Sequence, residues 1–289
     1  MIVGSLVCGA SFASRAHAEP APASGAPWVR ELRYDARVDL PIVAVGAVGW
    51  IGSELLKGKI APASCRWCDR DADGTDRLNA LDSSVRGLRW SSPKTADTLS
   101  NVTLFFALPV GLLGFDAVAA NHDGRVDGFA VDALVIVEAT VLAADVNQVV
   151  KFFVSRERPF VHALPPDQKG STDHPNDNNL SFFSGHATGA FALAVSAGTV
   201  SSMRGYRWAP IVWASGLTLA ATTSYLRIAA DKHYFTDVML GMLVGSGFGF
   251  AIPYVFHRPK GAKGAHDAVS ALTIAPLANG QGAVLSGSF

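Results

Sequence analysis

Long apolar runs separated by short polar clusters set the pattern of this chain. Helices are expected at about 99–119, 129–152, 185–203, 209–228 and 234–256. A shorter run at 40–57 contains Gly46, Gly49, Gly52 and Glu54. It is marginal against the roughly 20 apolar residues that a bilayer span requires, and fits either a first span or a helix laid against the bundle. Residues 1–18 read as an export signal: Ile2 to Ala13 are mostly apolar or small, and Ala16-His17-Ala18 suits small-x-small cleavage. No cation precedes that run, so an uncleaved anchor is the alternative reading. Residues 19–97 hold a Pro/Ala-rich linker, the short apolar run and a polar stretch. Residues 98–257 form the core, and 258–289 a Gly/Ala-rich tail. In that tail Ala271-Leu-Thr-Ile-Ala and Ala283-Val-Leu-Ser flank Asn279-Gly280 in the manner of a β-hairpin. The expected fold is all-α, a bundle with five or six apolar transmembrane helices and this short hairpin at its end.

Three polar clusters interrupt the apolar runs, and each has a definite geometry. Lys151 and Arg158 are seven apart, so on a continuous helix ended by Pro159 they would share one face. Ser184-Gly185-His186 opens a run of small apolar residues and reads as a helix N-terminus, whose unpaired N–H groups attract anions. In the third cluster, Arg227 precedes His233 and Asp237, an i, i+4 pair at the head of another helix, where the carboxylate could hold one ring nitrogen. Guanidinium forks and an ammonium suit phosphate oxygens, a neutral imidazole is a competent nucleophile, and a second histidine can serve as general acid. Singly, each cluster has a plainer reading: snorkelling cations, a helix-cap histidine, an interfacial His–Asp pair. Their joint occurrence favours an enzyme that binds a phosphate and attacks it.

The clusters resemble the KxxxxxxRP, PSGH and SRxxxxxHxxxD motifs of the PAP2 superfamily, which joins type-2 phosphatidic acid phosphatases, class A acid phosphatases and vanadium haloperoxidases. The resemblance implies that His233 is a nucleophile forming a phosphohistidine, oriented by Asp237. It implies that Lys151, Arg158 and Arg227 hold the phosphate with Ser184 and the Gly185 amide, and that His186 protonates the leaving group. It implies no cofactor and no metal. Phe183 and Leu226 stand where the family has proline and serine, and neither replaced residue supplies chemistry.

Composition narrows the class. Of 289 residues, 49% are hydrophobic and only 17% charged, which fits a membrane helix bundle better than a soluble enzyme. Zero formal net charge gives no nucleic-acid footprint. Cys65 and Cys68 would form a local disulfide in an oxidising compartment. Asp69, Asp71, Asp73 and Gly74 copy half of an EF-hand loop, but its twelfth position is Ala80, so a solvated acidic turn is expected. Within the second helix, Asn147 lies one turn from Lys151 as a supporting residue, while Glu138 reads as structural. The loop 160–180 reads as a rim over the site, with His162 and His174 solvated.

Arg204 and Arg207 read as a short loop opposite the clusters, on the same face as Arg258, Lys260 and Lys263. By the positive-inside rule this puts the clusters on the periplasmic side of a bacterial inner membrane. The function expected is an envelope phosphatase cleaving phosphomonoester or pyrophosphate bonds of a lipid phosphate. Phosphatidic acid, phosphatidylglycerol phosphate and an isoprenyl diphosphate are the substrates to consider. The alternatives are a soluble periplasmic acid phosphatase and a non-catalytic protein that binds lipid phosphates.

Overall fold

The computed structural model describes residues 29–261 except Ala72, together with the backbone of two short strands near the C-terminus. The expected export signal at 1–18 and the linker after it lie outside the described residues. Nine α-helices occur among those described: α1 (Ala36–Ile60), α2 (Ala80–Val85), α3 (Pro93–Val102), α4 (Leu108–His122), α5 (Phe129–Val154), α6 (Pro159–His162), α7 (Gly185–Arg204), α8 (Ala209–Ala229) and α9 (Phe235–Ala251). A π turn at Thr103–Ala107, just before Pro109, joins α3 to α4 as one helix, Pro93–His122. Strands β1 (Thr273–Pro276) and β2 (Ala283–Ser286) pair antiparallel, Thr273 opposite Ser286.

Helix α7 is the axis of the bundle. Almost all of its residues are buried, and α4, α5, α8 and α9 pack around it. Its Ala, Gly, Ser and Thr side chains let neighbouring backbones come close, which is how helices associate when lipid removes the hydrophobic drive between them. Gly241, Gly245 and Gly249 of α9 form the matching stripe: a Cβ on Gly241 would lie 2.6 Å from the Ser184 carbonyl oxygen, and one on Gly249 2.8 Å from that of Ala192.

The outside of the bundle is apolar. Leu55 is 80% exposed, Phe153 71% and Leu243 65%, with Val45, Val48, Phe106 and Phe256 also bare. A belt of that extent is incompatible with a water-facing surface and suits lipid. Among the described residues three helices are long and apolar enough to cross a membrane, against the five or six expected: Ala36–Ile60, Pro93–His122 and Phe235–Phe256. The first of these resolves the marginal 40–57 run, which is the middle of a 25-residue helix packed on α5.

The connections alternate between two ends of the bundle. At one end the segment before α1 meets the segment after α9: Leu32 bridges Pro259, and the Lys260 N–H donates to Glu31 O at 2.7 Å. Arg204 lies at this end but is not a loop cation. It is the last residue of α7, buried, and donates to Asp132 at 2.6 Å and to the Gly128 carbonyl at 3.0 Å, while Tyr206 donates to the same carboxylate at 2.9 Å. Asp132 thus offsets its charge inside the bundle, and Arg204 drops out of any count of loop charges. The other end gathers the three polar clusters.

Candidate active site

The site grows from four helix ends. Helix α5 stops at Val154 because Ser155 turns into the left-handed region, φ 50°, and the Ser155 carbonyl then accepts the Arg66 N–H at 3.0 Å. Lys151 is therefore in the last helical turn, whereas Arg158 is off the helix, as the N-cap of α6. The single shared helix face expected for the two cations is not formed. They converge because the stretch 156–158 turns away from the axis of α5 after Ser155, held where the Glu157 N–H donates to Trp67 O at 3.0 Å.

Ser184 caps α7, its Oγ accepting from the Ala187 N–H at 3.4 Å, and its own N–H donates to the Asp237 carbonyl at 3.0 Å. Gly185 begins the helix against α5. A Cβ there would come 2.8 Å from Asn147 Oδ1 and 3.0 Å from Lys151 Nζ, so glycine is what lets the ammonium stand beside the first-turn amides. Asn147 is fixed in turn by donating to the Phe183 carbonyl at 2.7 Å, the supporting position expected of it. His186 follows, its Nε2–H donating to Asn101 Oδ1 at 2.7 Å, with Phe105 edge-on at 5.6 Å.

Arg227 ends α8. Its Nη1 donates to Asp97 and, at 2.8 Å, to Ser100 Oγ, while its Nε is buried with no acceptor. His233 precedes α9. Its Nδ1–H donates to the Ser181 carbonyl at 2.8 Å, which leaves the Nε2 lone pair 3.3 Å from Arg158 Nη1. Arg158 is itself pinned, Nε donating to Asp177 O at 2.8 Å and Nη1 to Lys232 O at 3.0 Å. Burial first, then the charges of Arg158, Arg227, Lys151 and His186, push the His233 imidazole well below its ordinary pKa of 6.5. The same list of charges shows that the three clusters meet on one ring.

Asp237 does not hold the imidazole directly: its Oδ2 is 3.7 Å from His233 Nδ1, beyond hydrogen-bond reach. Instead it accepts from Ser181 Oγ and, at 3.0 Å, from the Tyr234 N–H, so it fixes the two backbone segments between which the ring sits. Beneath it lies a residue that sequence reasoning passed over. Arg156 is fully buried between the rings of Trp67 and Tyr234, 4.2 and 4.0 Å away, and its guanidinium reaches Asp69, Asp82 and Asp237 at 2.9, 2.8 and 2.6 Å. The signal available was its place inside the first cluster. Its three acidic partners are distant in sequence, and nothing local announces them.

Two expectations about the polar loops change. Asp69 is not part of a solvated turn; it is buried against Arg156, while Asp71 and Asp73 remain exposed. His162 is not solvated either, because the short helix α6 turns it inward to 3.3 Å from Glu157 and 3.4 Å from Asp76. His174 is exposed, as expected. The rim loop is tied down by Asp177, which lies 2.9 Å from Lys57 of α1. Burial alone would raise the Asp177 pKa, but Arg158 and Lys57 hold it well below the usual carboxylate range. Cys65 and Cys68 are disulfide-bonded at this same end.

Comparison with known proteins adds several likenesses. Phospholipid phosphatase 2 of Bos taurus is 30% identical over 83 residues, 27% of this chain and 29% of that protein. The Rattus norvegicus protein of the same name is 26% identical over 125 residues, 36% of this chain and 45% of that protein. Each match thus takes in less than half of the relative's length. A solved structure, the first transmembrane PAP2 type phosphatidylglycerolphosphate phosphatase from Bacillus subtilis, aligns with a TM-score of 0.44 and 15% identity, over 74% of this chain and 93% of the other. Residues 132–260, which hold all three clusters, match the family model of the PAP2 superfamily.

Proposed function

We propose that this protein is a membrane-embedded phosphatase that moves a phosphoryl group from a lipid phosphate to His233 and then to water. One observation carries the reading: donor groups on two cations, Lys151 Nζ and Arg227 Nε, stand without acceptors around a neutral imidazole. Lys151 makes no ion pair among the described residues, Arg227 Nε is buried with no acceptor, and both charges bear on His233. A buried unpartnered donor is costly, and a phosphoryl group supplies the acceptors and the negative charge that these donors lack.

The chemistry follows from the hydrogen bonds. Ser181 O fixes the tautomer that leaves Nε2 unprotonated, and Nε2 attacks phosphorus as the ester or anhydride P–O bond breaks. Lys151, Arg158, Arg227 and the first amides of α7 take the charge on the phosphoryl oxygens. His186 gives its proton to the leaving oxygen, which displaces Asn101 from that nitrogen. In the second half, His186 accepts a proton from water, the resulting hydroxide attacks phosphorus, the P–N bond breaks, and His233 returns neutral. Protein cations provide the positive charge, so turnover is expected to persist in EDTA.

Lipid substrates are favoured by the apolar belt beside the site, where Val149 and Phe153, on either side of Lys151 in α5, are exposed. The relatives named phospholipid phosphatase point the same way. The test is phosphate release by detergent-solubilised protein offered phosphatidic acid, phosphatidylglycerol phosphate, undecaprenyl diphosphate and p-nitrophenyl phosphate, with EDTA present. The expected result is preference for one lipid and inhibition by vanadate. Equal or faster turnover of p-nitrophenyl phosphate would favour the acid-phosphatase reading, and no turnover of any substrate the non-catalytic one. Unchanged turnover in His233→Ala would sink the nucleophile assignment.

A further inference from the structure

At the end of the bundle away from the active site, three separate elements bring one metal-binding side chain each to a point. Asp39 comes from the first turn of α1, Glu138 from α5, and His257 from just beyond the π turn that ends α9. All three are more than nine-tenths buried, and their donor atoms lie within 4.8 Å of one another. The mechanism proposed above uses none of them.

The hydrogen bonds around the cluster aim it at a missing charge. His257 Nδ1–H donates to the Arg33 carbonyl at 3.0 Å, which turns Nε2 toward the carboxylates. That nitrogen faces Glu138 Oε2 at 3.3 Å, and neither atom makes a hydrogen bond. Asp39 Oδ2 accepts the Asp35 N–H at 2.8 Å, which fixes the third donor group. The two atoms therefore face each other in a buried position without a hydrogen bond, with a second carboxylate beside them. A backbone carbonyl holding the far nitrogen of a histidine is the arrangement that orients metal-bound imidazoles. An ion with bonds of about 2.0–2.2 Å spans ligand atoms up to roughly 4.4 Å apart, so small side-chain rotations close the site.

We propose that Asp39, Glu138 and His257 bind one divalent transition-metal ion, with Zn²⁺ or Mn²⁺ as the fitting class. Two carboxylates and a neutral imidazole carry two negative charges, which a divalent cation neutralises. The mixed nitrogen and oxygen donors suit these ions better than Ca²⁺ or Mg²⁺, which favour all-oxygen sites. The ion would staple α1, which otherwise packs chiefly on α5, to the chain that leaves α9.

The test uses the full chain, untagged and purified in detergent. Metal content is measured by mass spectrometry after gel filtration, and melting is followed after EDTA stripping and on adding back Zn²⁺ or Mn²⁺. About one ion per chain is expected, with a melting temperature that falls on stripping and recovers on refilling. His257→Gln keeps a polar group facing Glu138 and should weaken binding at least tenfold, whereas His162→Gln should leave it unchanged. If the wild-type chain neither retains an ion nor melts higher with either metal, the cluster is a proton-bridged ion pair and the proposal fails. It fails equally if His257→Gln binds as tightly as wild type. Neither outcome touches the phosphatase reading, whose residues lie at the other end of the bundle.

Discussion

His233 can attack phosphorus only while its Nε2 is unprotonated, so its surroundings make a statement about pH. Burial and four neighbouring positive or protonatable groups disfavour the imidazolium. The ring is then neutral at and above its ordinary pKa of 6.5, and protonation sets in only well below it. The acidic limb of kcat/KM should therefore fall below pH 6.5, and Arg158→Gln, which removes a cation beside the ring, should move that limb upward although activity drops. A pH profile whose limb stays put in Arg158→Gln would contradict this. Gly185→Ala tests the same site sterically. Its methyl group would stand 2.8 Å from Asn147 Oδ1 and 3.0 Å from Lys151 Nζ, so both side chains must shift away from the first turn of α7 and kcat/KM should fall. Near-normal kcat/KM in that variant would show that Lys151 does not stand beside the reacting phosphoryl group. Arg156 works through others. Arg156→Lys keeps the charge but cannot fork to three carboxylates, so kcat should fall more than KM rises, with a stability loss of about 3–5 kcal/mol if the buried pairs break. The three clusters foreseen from the sequence gather at one end of the bundle, where Lys151, Arg158, His186 and Arg227 all bear on His233. Arg156, Ser181, Asn101 and Asp97 were illegible as site residues, because what defines them is a partner dozens of residues away.

Elements were more legible than contacts. Apolar runs located α5, α7, α8 and α9 to within a few residues, since a run of that length has few alternatives to a helix. The end of α5 was misread because Pro159 looked like the stop, whereas Ser155 ends the helix four residues earlier under the pull of the 64–67 segment. What no run of hydrophobicity announces is which helices touch. The glycines at 241, 245 and 249 decide that for α7 and α9: a Cβ on Gly245 would overlap the Thr188 carbonyl oxygen. Gly245→Ala must therefore push the two helices apart, and overpacking of this kind costs about 1–3 kcal/mol. Because Ser184 and Asp237 sit at the facing ends of these helices, the same variant should lose activity as well as melting temperature. Gly247→Ala, with open space around it, is the control that should change neither. Equal melting of the two variants would remove the close α7–α9 approach as a determinant of the site.

The whole molecule raises the question of which side of the membrane the catalytic end occupies. Loop charges alone do not answer it once Arg204 is paired with Asp132, because Arg66, Arg70, Arg77 and Arg89 crowd the catalytic end while Arg30, Arg33, Arg125 and Arg207 crowd the other. The Cys65–Cys68 disulfide lies at the catalytic end, and disulfides persist on the oxidising side of a membrane, so it favours an outward site. Asp173 and Asp127 provide a matched pair of probes. Their side chains are 73% and 75% exposed, the first on the rim loop of the active site and the second between α4 and α5 at the opposite end. With Cys8 replaced by serine and the disulfide intact, Asp173→Cys should react with a membrane-impermeant maleimide in intact cells. Asp127→Cys should react only after the membrane is opened. The reverse pattern would turn the active site toward the cytoplasm, where the disulfide would have to form against a reducing pool. Labelling of both in intact cells would mean that the bundle does not separate its two ends across a bilayer, and the span assignment drawn from the apolar belt would fall with it.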